Sequence, residues 1–243
     1  MNILLIAGHG QGDPGAVGNG YKEAELVREI ATSLKSKLSA YANVDLFDTS
    51  KNMYKYLKAG NTFNFKKYDY VFEIHFNAAS QDFKGDEKTT GTEILVHISE
   101  IGRKVETAIV NNIAALGFKN RGVKTRSDLQ NMNVCKKRQG VSYALLETCF
   151  IDDLDDIKLY MSKKDAVITA IANGIISGFN LGTVSTEKKA EPVQELTTPN
   201  DIVWELSQRI EITNVSKAVS DLTKAMDENS SCYWMLKKIA NKR

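Results

Sequence analysis

Residues 1–10 read MNILLIAGHG. This is a short apolar run that ends in glycines, as a buried parallel strand does. It has no basic leader and only about five apolar residues, too few for a secretory signal or a membrane span. Working outward, similar strand-like runs occur at 44–47, 70–76, 92–98 and 143–146. Between them lie segments with helical spacing. Glu23–Leu38 carries Leu26, Val27, Ile30, Leu34 and Leu38 on one face. Residues 105–116 form a second such segment, stopped by Gly117, and 155–160 and 165–179 read as two more, ending near Gly182. Strands alternating with helices predict an α/β fold, with a mostly parallel sheet and helices on both faces.

The 243 residues leave room for one domain of ordinary size and a smaller one. Residues 1–181 make the larger. Residues 182–199 are polar, charged and bracketed by proline, and read as a linker. Residues 200–243 predict a small all-α domain, with Asn200 or Asp201 as first N-cap and Ile202, Val203, Leu206 and Ile210 on its apolar face. So small a unit is expected to pack on something: a second copy in a homo-oligomer, the larger domain or a ligand surface. Hydrophobic residues make up 42% and charged residues 26%, with a net charge of +2. That near-neutral balance argues against nucleic acid as partner, and no apolar run is long enough for membrane insertion. Cys135, Cys149 and Cys232 are odd in number and widely spaced, which points to reduced thiols.

The chemistry lies at the strand ends. His9 follows the first strand, His75 lies near the end of the third, and Glu147 ends the fifth. Glu23 opens the first helix. In an open α/β sheet these ends line one crevice. Two imidazoles and a carboxylate form a ligand set for catalytic zinc, with the fourth position left for water. A carboxylate held off the metal then serves as general base. His9, Glu23 and His75 are therefore the expected ligands and Glu147 the expected base. His97 alternates along the fourth strand and reads as structural. Asn77 and Arg121 are further candidates for substrate contact; a turn role and a solvated loop charge are their respective alternatives.

A competing reading comes from Gly10, Gly12 and Gly15, which spell GxGxxG after the first strand, with Asp48 placed for a ribose contact. Against a nucleotide stands Asp13, a negative charge beside the phosphates. The loop also runs on through Gly18 and Gly20 instead of entering a helix.

Over residues 2–181 the sequence resembles the zinc-dependent N-acetylmuramoyl-L-alanine amidases of bacterial autolysins and phage endolysins. The resemblance rests on AGHGQGDPGAVGNG followed by KEAEL, on EIHFNA around His75, on GTEILV, on NRGVK at 120–124 and on LLETCFIDDLDD. It implies one Zn²⁺ per chain held by His9, Glu23 and His75, with Glu147 catalytic, and it favours Glu23 over neighbouring Glu25. The implied substrate is peptidoglycan, cut between N-acetylmuramic acid and L-alanine. Synthesis in the cytoplasm without a signal peptide, and action on the wall after release by a pore or by lysis, would follow. Activity is expected to fall below about pH 6 as the histidines protonate. Two departures flank the site: Glu73, where the family often has Ser or Ala, and Asp153, where it often has Asn. Both are expected to bear on substrate preference. A non-catalytic wall-binding protein is the alternative of another class. The tail contributes Trp204, Tyr233 and Trp234, for sugar stacking or for its own core, and the basic Lys237, Lys238, Lys242 and Arg243, suited to anionic wall polymers.

Overall fold

The computed structural model describes residues 1–182. Apart from Gly182, the expected linker and the helices expected over 200–243 lie outside the described residues. β1 (Asn2–Ala7) leads through a two-stranded ribbon, β2 (Val17–Gly18) and β3 (Tyr21–Lys22), into α1 (Glu23–Leu38). Next come β4 (Asn43–Leu46), α2 (Met53–Lys58), a 3-10 turn at Phe65–Lys67 and β5 (Tyr70–Asn77). β6 (Thr92–His97), α3 (Lys104–Ala114) and β7 (Asn120–Arg126) follow. A short α4 (Gln130–Met132) runs into a π-helical stretch, Asn133–Arg138, before β8 (Ser142–Phe150) and α5 (Leu154–Phe179).

The main sheet has six strands in the order β4-β1-β5-β8-β6-β7. β1 pairs in parallel with β4 and β5, β5 with β8, and β6 with β7. β6 meets β8 antiparallel. The sheet is thus mixed: the parallel expectation fails at that one junction, where the chain reverses direction. β8, the last strand among the described residues, fills an interior position between β5 and β6.

Side chains alternate across the sheet with the period of two that a pleated strand imposes. On one face Ile3, Leu5, Phe72, Ile74 and Leu146 pack against the apolar sides of α1, α3 and α5. A fully buried Leu or Ile stabilises by roughly 1.5–3 kcal/mol, so this thick layer carries most of the fold. On the other face Leu4, Ile6, Val71, Tyr143 and Leu145 meet Met53 and Leu57 of α2, Phe65, Met132 and Cys135. This cover is short and stops before the strand ends, leaving that end of the sheet free for polar groups.

α5 holds the two helices expected over 155–160 and 165–179, joined across a kink at Lys163 (φ −126°, ψ 22°). Two features go beyond expectation. β7 is an added edge strand of mostly polar residues. Asp153 is a buried N-cap of α5, accepting from the Asp155 and Asp156 amides and from Thr90 Oγ1. Its carboxylate is thereby committed to capping α5. Cys135 and Cys149 are free, buried thiols. Among the described residues no helix is long and apolar enough to cross a membrane.

Candidate active site

Following the thinly covered face along each strand shows where structure gives way to chemistry. On β5 the residues facing this side run Val71, Glu73, His75. On β8 they run Tyr143, Leu145, Glu147, and on β6, which runs the other way, Leu95 is followed outward by Glu93. His75 lies beside Glu147 in the parallel register, and Glu147 lies beside Glu93 in the antiparallel one. Glu147 is not at the end of its strand, as the sequence suggested. β8 continues to Phe150 through a register shift between the His75 and Asn77 pairings.

The first loop and α1 bring two more groups to this row. His9 adopts φ 61°, a left-handed conformation open to few non-glycine residues. Its Nε2 lies 3.1 Å from Glu23 Oε2. His75 Nδ1 lies 2.9 Å from Glu23 Oε1. Glu23 is 2% exposed and is fixed by the Ala16 and Phe76 amides, each donating to it at 2.9 Å. Glu25 is turned to solvent and pairs with Lys22, so the geometry picks out Glu23 as the inward acid. Ligand atoms of His9, Glu23 and His75 all lie within 4.8 Å of one another, as a shared cation requires. Burial alone would raise the Glu23 pKa, but hydrogen bonds and charge from the two imidazoles hold it well below the ordinary carboxylate range.

The outer nitrogens of both rings also face carboxylates. His9 Nδ1 lies 3.1 Å from Asp13 Oδ2, and His75 Nε2 lies 2.9 Å from Glu73 Oε1. If each outer nitrogen carries a proton, the inner ones present lone pairs to Glu23. Acceptors facing each other at about 3 Å need a cation between them, whether proton or metal. The donor set therefore fits a divalent ion.

Glu147 stands apart from this cluster. Its Oε2 is buried without a hydrogen-bond partner. Burial, opposed by the His75 charge and reinforced by Glu23 and Glu93, pushes its carboxyl up to about 7. A proton acceptor poised near neutrality in a site of this kind has the character of a general base.

Asn77 and Arg121 both meet Glu93. Asn77 Nδ2 donates to Glu93 Oε1 at 3.3 Å, and Arg121 Nε donates to Oε2 at 2.6 Å, with Lys124 on the same oxygen. The Arg121 guanidinium also lies over the Phe150 ring, 4.9 Å from its centroid. Arg121 is thus a paired residue of β7 and not a free loop charge. His97 is buried away from the site, its Nδ1 accepting from the Ser99 amide, as its structural reading anticipated.

Sequence reasoning missed the groups that position the two histidines. Arg28 of α1 donates to the Gly8, His9 and Ala24 carbonyls and to Thr49, strapping the His9 loop onto the helix. Asp13, read as an obstacle to phosphate, is the partner of His9 and also accepts from Asn52 and Gly15. The glycine loop is shaped around the histidines. A Cβ at Gly8 would sit 2.4 Å from His75 Cε1, and one at Gly15, already at φ +68°, would sit 2.7 Å from Glu23 Oε2. Gly8→Ala is accordingly expected to displace the His75 ring and weaken divalent-metal binding about tenfold or more. Calorimetric titration of the folded variant checks this; unchanged affinity would mean that the ring has room to move. A cleft of about 380 Å³ opens beside His9 and His75, bounded by Asn52, Tyr54 and Gln130.

Residues 3–177 match the family described as N-acetylmuramoyl-L-alanine amidase. Over 207 residues the chain is 32% identical to the Staphylococcus aureus protein named "Probable autolysin PH", covering 77% of this chain and 41% of that one. Over 180 residues it is 30% identical to the endolysin of Bacillus phage SPP1, covering 72% and 64% respectively. The chain therefore spans roughly half the length of these relatives. The catalytic domain of CwlV, an amidase from Bacillus (Paenibacillus) polymyxa, shares the fold with a TM-score of 0.59 at 20% identity, covering 75% of this chain and all of that one (100%). Motif order, fold and family match agree, and the chain belongs to the N-acetylmuramoyl-L-alanine amidase family.

Proposed function

We propose that this protein is a zinc-dependent peptidoglycan hydrolase that cuts the amide bond between N-acetylmuramic acid and the L-alanine of the stem peptide. The observation that carries the reading is the convergence of His9, Glu23 and His75 around one point, beside a buried carboxylate, Glu147, kept off that point. Two imidazoles and a carboxylate suit zinc, and histidines backed by carboxylates are the usual supporting arrangement. When bound, zinc supplies a Lewis acid that polarises the scissile carbonyl and acidifies water. Glu147 accepts the proton of the attacking water and returns it to the alanine nitrogen as the C–N bond breaks. Glu93, held by Arg121 and Lys124, keeps a fixed negative charge beside Glu147 and helps to hold its proton affinity high. The autolysin and endolysin names of the relatives support the wall as the place of action.

The test pairs metal content with activity. About one zinc per chain by elemental analysis is expected. Purified Gram-positive walls should lose turbidity in a chelator-sensitive way, exposing L-alanine amino groups and no reducing sugar. Clearing that survives complete metal removal would sink the mechanism. A nucleotide role finds no support in the loop, because Gly10 and Asp13 bond to each other and α1 begins only at Glu23.

For the tail we propose a wall-binding role, carried by its aromatic and basic residues. Deleting residues 196–243 is then expected to lower retention on walls while leaving hydrolysis of a soluble muropeptide unchanged. Retention equal to that of the full chain, together with a smaller oligomer on sizing, would assign the tail to self-association instead.

A further inference from the structure

Glu73 has no obvious reason to be a carboxylate. It is 4% exposed on a strand whose neighbouring position on the same face is Val71, and a buried ionised group costs free energy unless it is fully hydrogen-bonded. Here the compensation is complete. Tyr143 donates its hydroxyl to Oε2, and Asn131 Nδ2 donates to both oxygens at 3.1 and 3.0 Å. His75 Nε2 completes the set at 2.9 Å from Oε1. The amide of Asn131 is committed to this duty, since its own Oδ1 is buried without a partner. Tyr143 comes from β8 and Asn131 from α4, so two elements besides β5 hold Glu73 in place.

A carboxylate that receives donors on both oxygens can accept only an N–H from the imidazole. That fixes a proton on Nε2 and makes Nδ1, the nitrogen facing Glu23, the one whose lone pair a metal can take in place of a proton. We propose that Glu73, oriented by Tyr143 and Asn131, is a positioning residue that selects the metal-binding tautomer of His75 and strengthens it as a donor. The inference rests on the reading of His9, Glu23 and His75 as metal ligands. Buried outer partners of this type typically change metal affinity 10–100-fold.

The experiment measures Zn²⁺ affinity of the full chain by competition with a chromophoric chelator, alongside ¹⁵N shifts of the histidine rings. Wild type is expected to bind one zinc and His75→Ala none. Glu73→Gln and Glu73→Ala should fold and bind zinc about 10–100-fold more weakly. Tyr143→Phe should weaken binding in the same direction by a smaller factor. In the zinc-loaded protein the His75 ring should show one tautomer, protonated at Nε2, while metal-free Glu73→Ala should show a mixture. If both Glu73 variants misfold, Tyr143→Phe decides by the same affinity readout. Zinc binding by wild type, lost in His75→Ala yet kept within twofold in the Glu73 and Tyr143 variants, would overturn the positioning role while leaving the metal site standing. Absence of zinc from wild type would overturn both.

Discussion

Glu147→Gln is expected to hold zinc as wild type does and to hydrolyse walls about 10²–10⁴-fold more slowly. Glutamine keeps the shape and volume of the side chain but has no lone pair basic enough to take a proton from water. The same substitution should stabilise the metal-free protein, and only at higher pH. The Glu147 carboxyl titrates at about 7 in the fold against an ordinary 4.5, so between these values the folded chain holds a proton that the unfolded chain has released. Folding stability therefore falls as pH rises through this window and stays lower above about 7. A shift of this size corresponds to something on the order of 3 kcal/mol at pH 8, and to almost nothing near pH 4. Urea unfolding in chelator at the two pH values, wild type against variant, measures the difference. Near-normal turnover would remove Glu147 from the mechanism, and equal stability at both pH values would remove the buried-carboxylate account of its proton affinity.

His9→Ala and His75→Ala are expected to lose both zinc and activity. The loss should exceed the 10–100-fold typical of an outer partner, because a direct ligand disappears and Glu23 is left without its counterpart. The pH dependence follows from the same geometry. Burial lowers the affinity of both rings for a proton, but hydrogen bonds and charge from Glu23, joined by Glu73 at His75 and by a hydrogen bond to Asp13 at His9, outweigh it. His9 is raised above 6.5 and His75 well above. A protonated imidazole cannot ligate, so zinc affinity should rise with pH through the region above 6.5 as protons are expelled. The acid limb of activity in limiting zinc is thus expected to begin higher than the value near 6 suggested by unperturbed histidines. Titrations of affinity against pH, with proton release followed in weak buffer, check both points. Full zinc occupancy in either alanine variant would take that histidine out of the ligand set.

The frame and its centre were legible because they depend on local pattern. Alternating or continuous apolar runs marked five strands, and the spacing of Leu26, Ile30 and Leu34 gave α1 its buried face. His9, Glu23, His75 and Glu147 were found because chain topology places the ends of parallel strands together. What stayed hidden depends on neighbours that sequence does not reveal. β7 is too polar to read as a strand, since an edge next to solvent can do without apolar residues. The reversal at β6 leaves no local trace, so the arrival of Glu93 beside Glu147 could not be foreseen. Asn77 and Arg121 looked free because Glu93, their partner, lies on another strand. Asp13 and Glu73 read as charges near a site; only distances show that each stands behind a histidine.

The interior place of β8 has a consequence for how the molecule is made. A chain lengthening from its N-terminus has β4, β1 and β5 available early, then β6 and β7, but no strand to join the two groups until residues 142–150 exist. Each group meanwhile exposes an unpaired backbone edge, the condition under which nascent chains associate wrongly. The seam closes with contacts far apart in sequence, which slows folding. The strand that closes it carries Glu147. Glu147, the base in the proposed mechanism, therefore comes to lie beside His75 and Glu93 only in the event that completes the sheet.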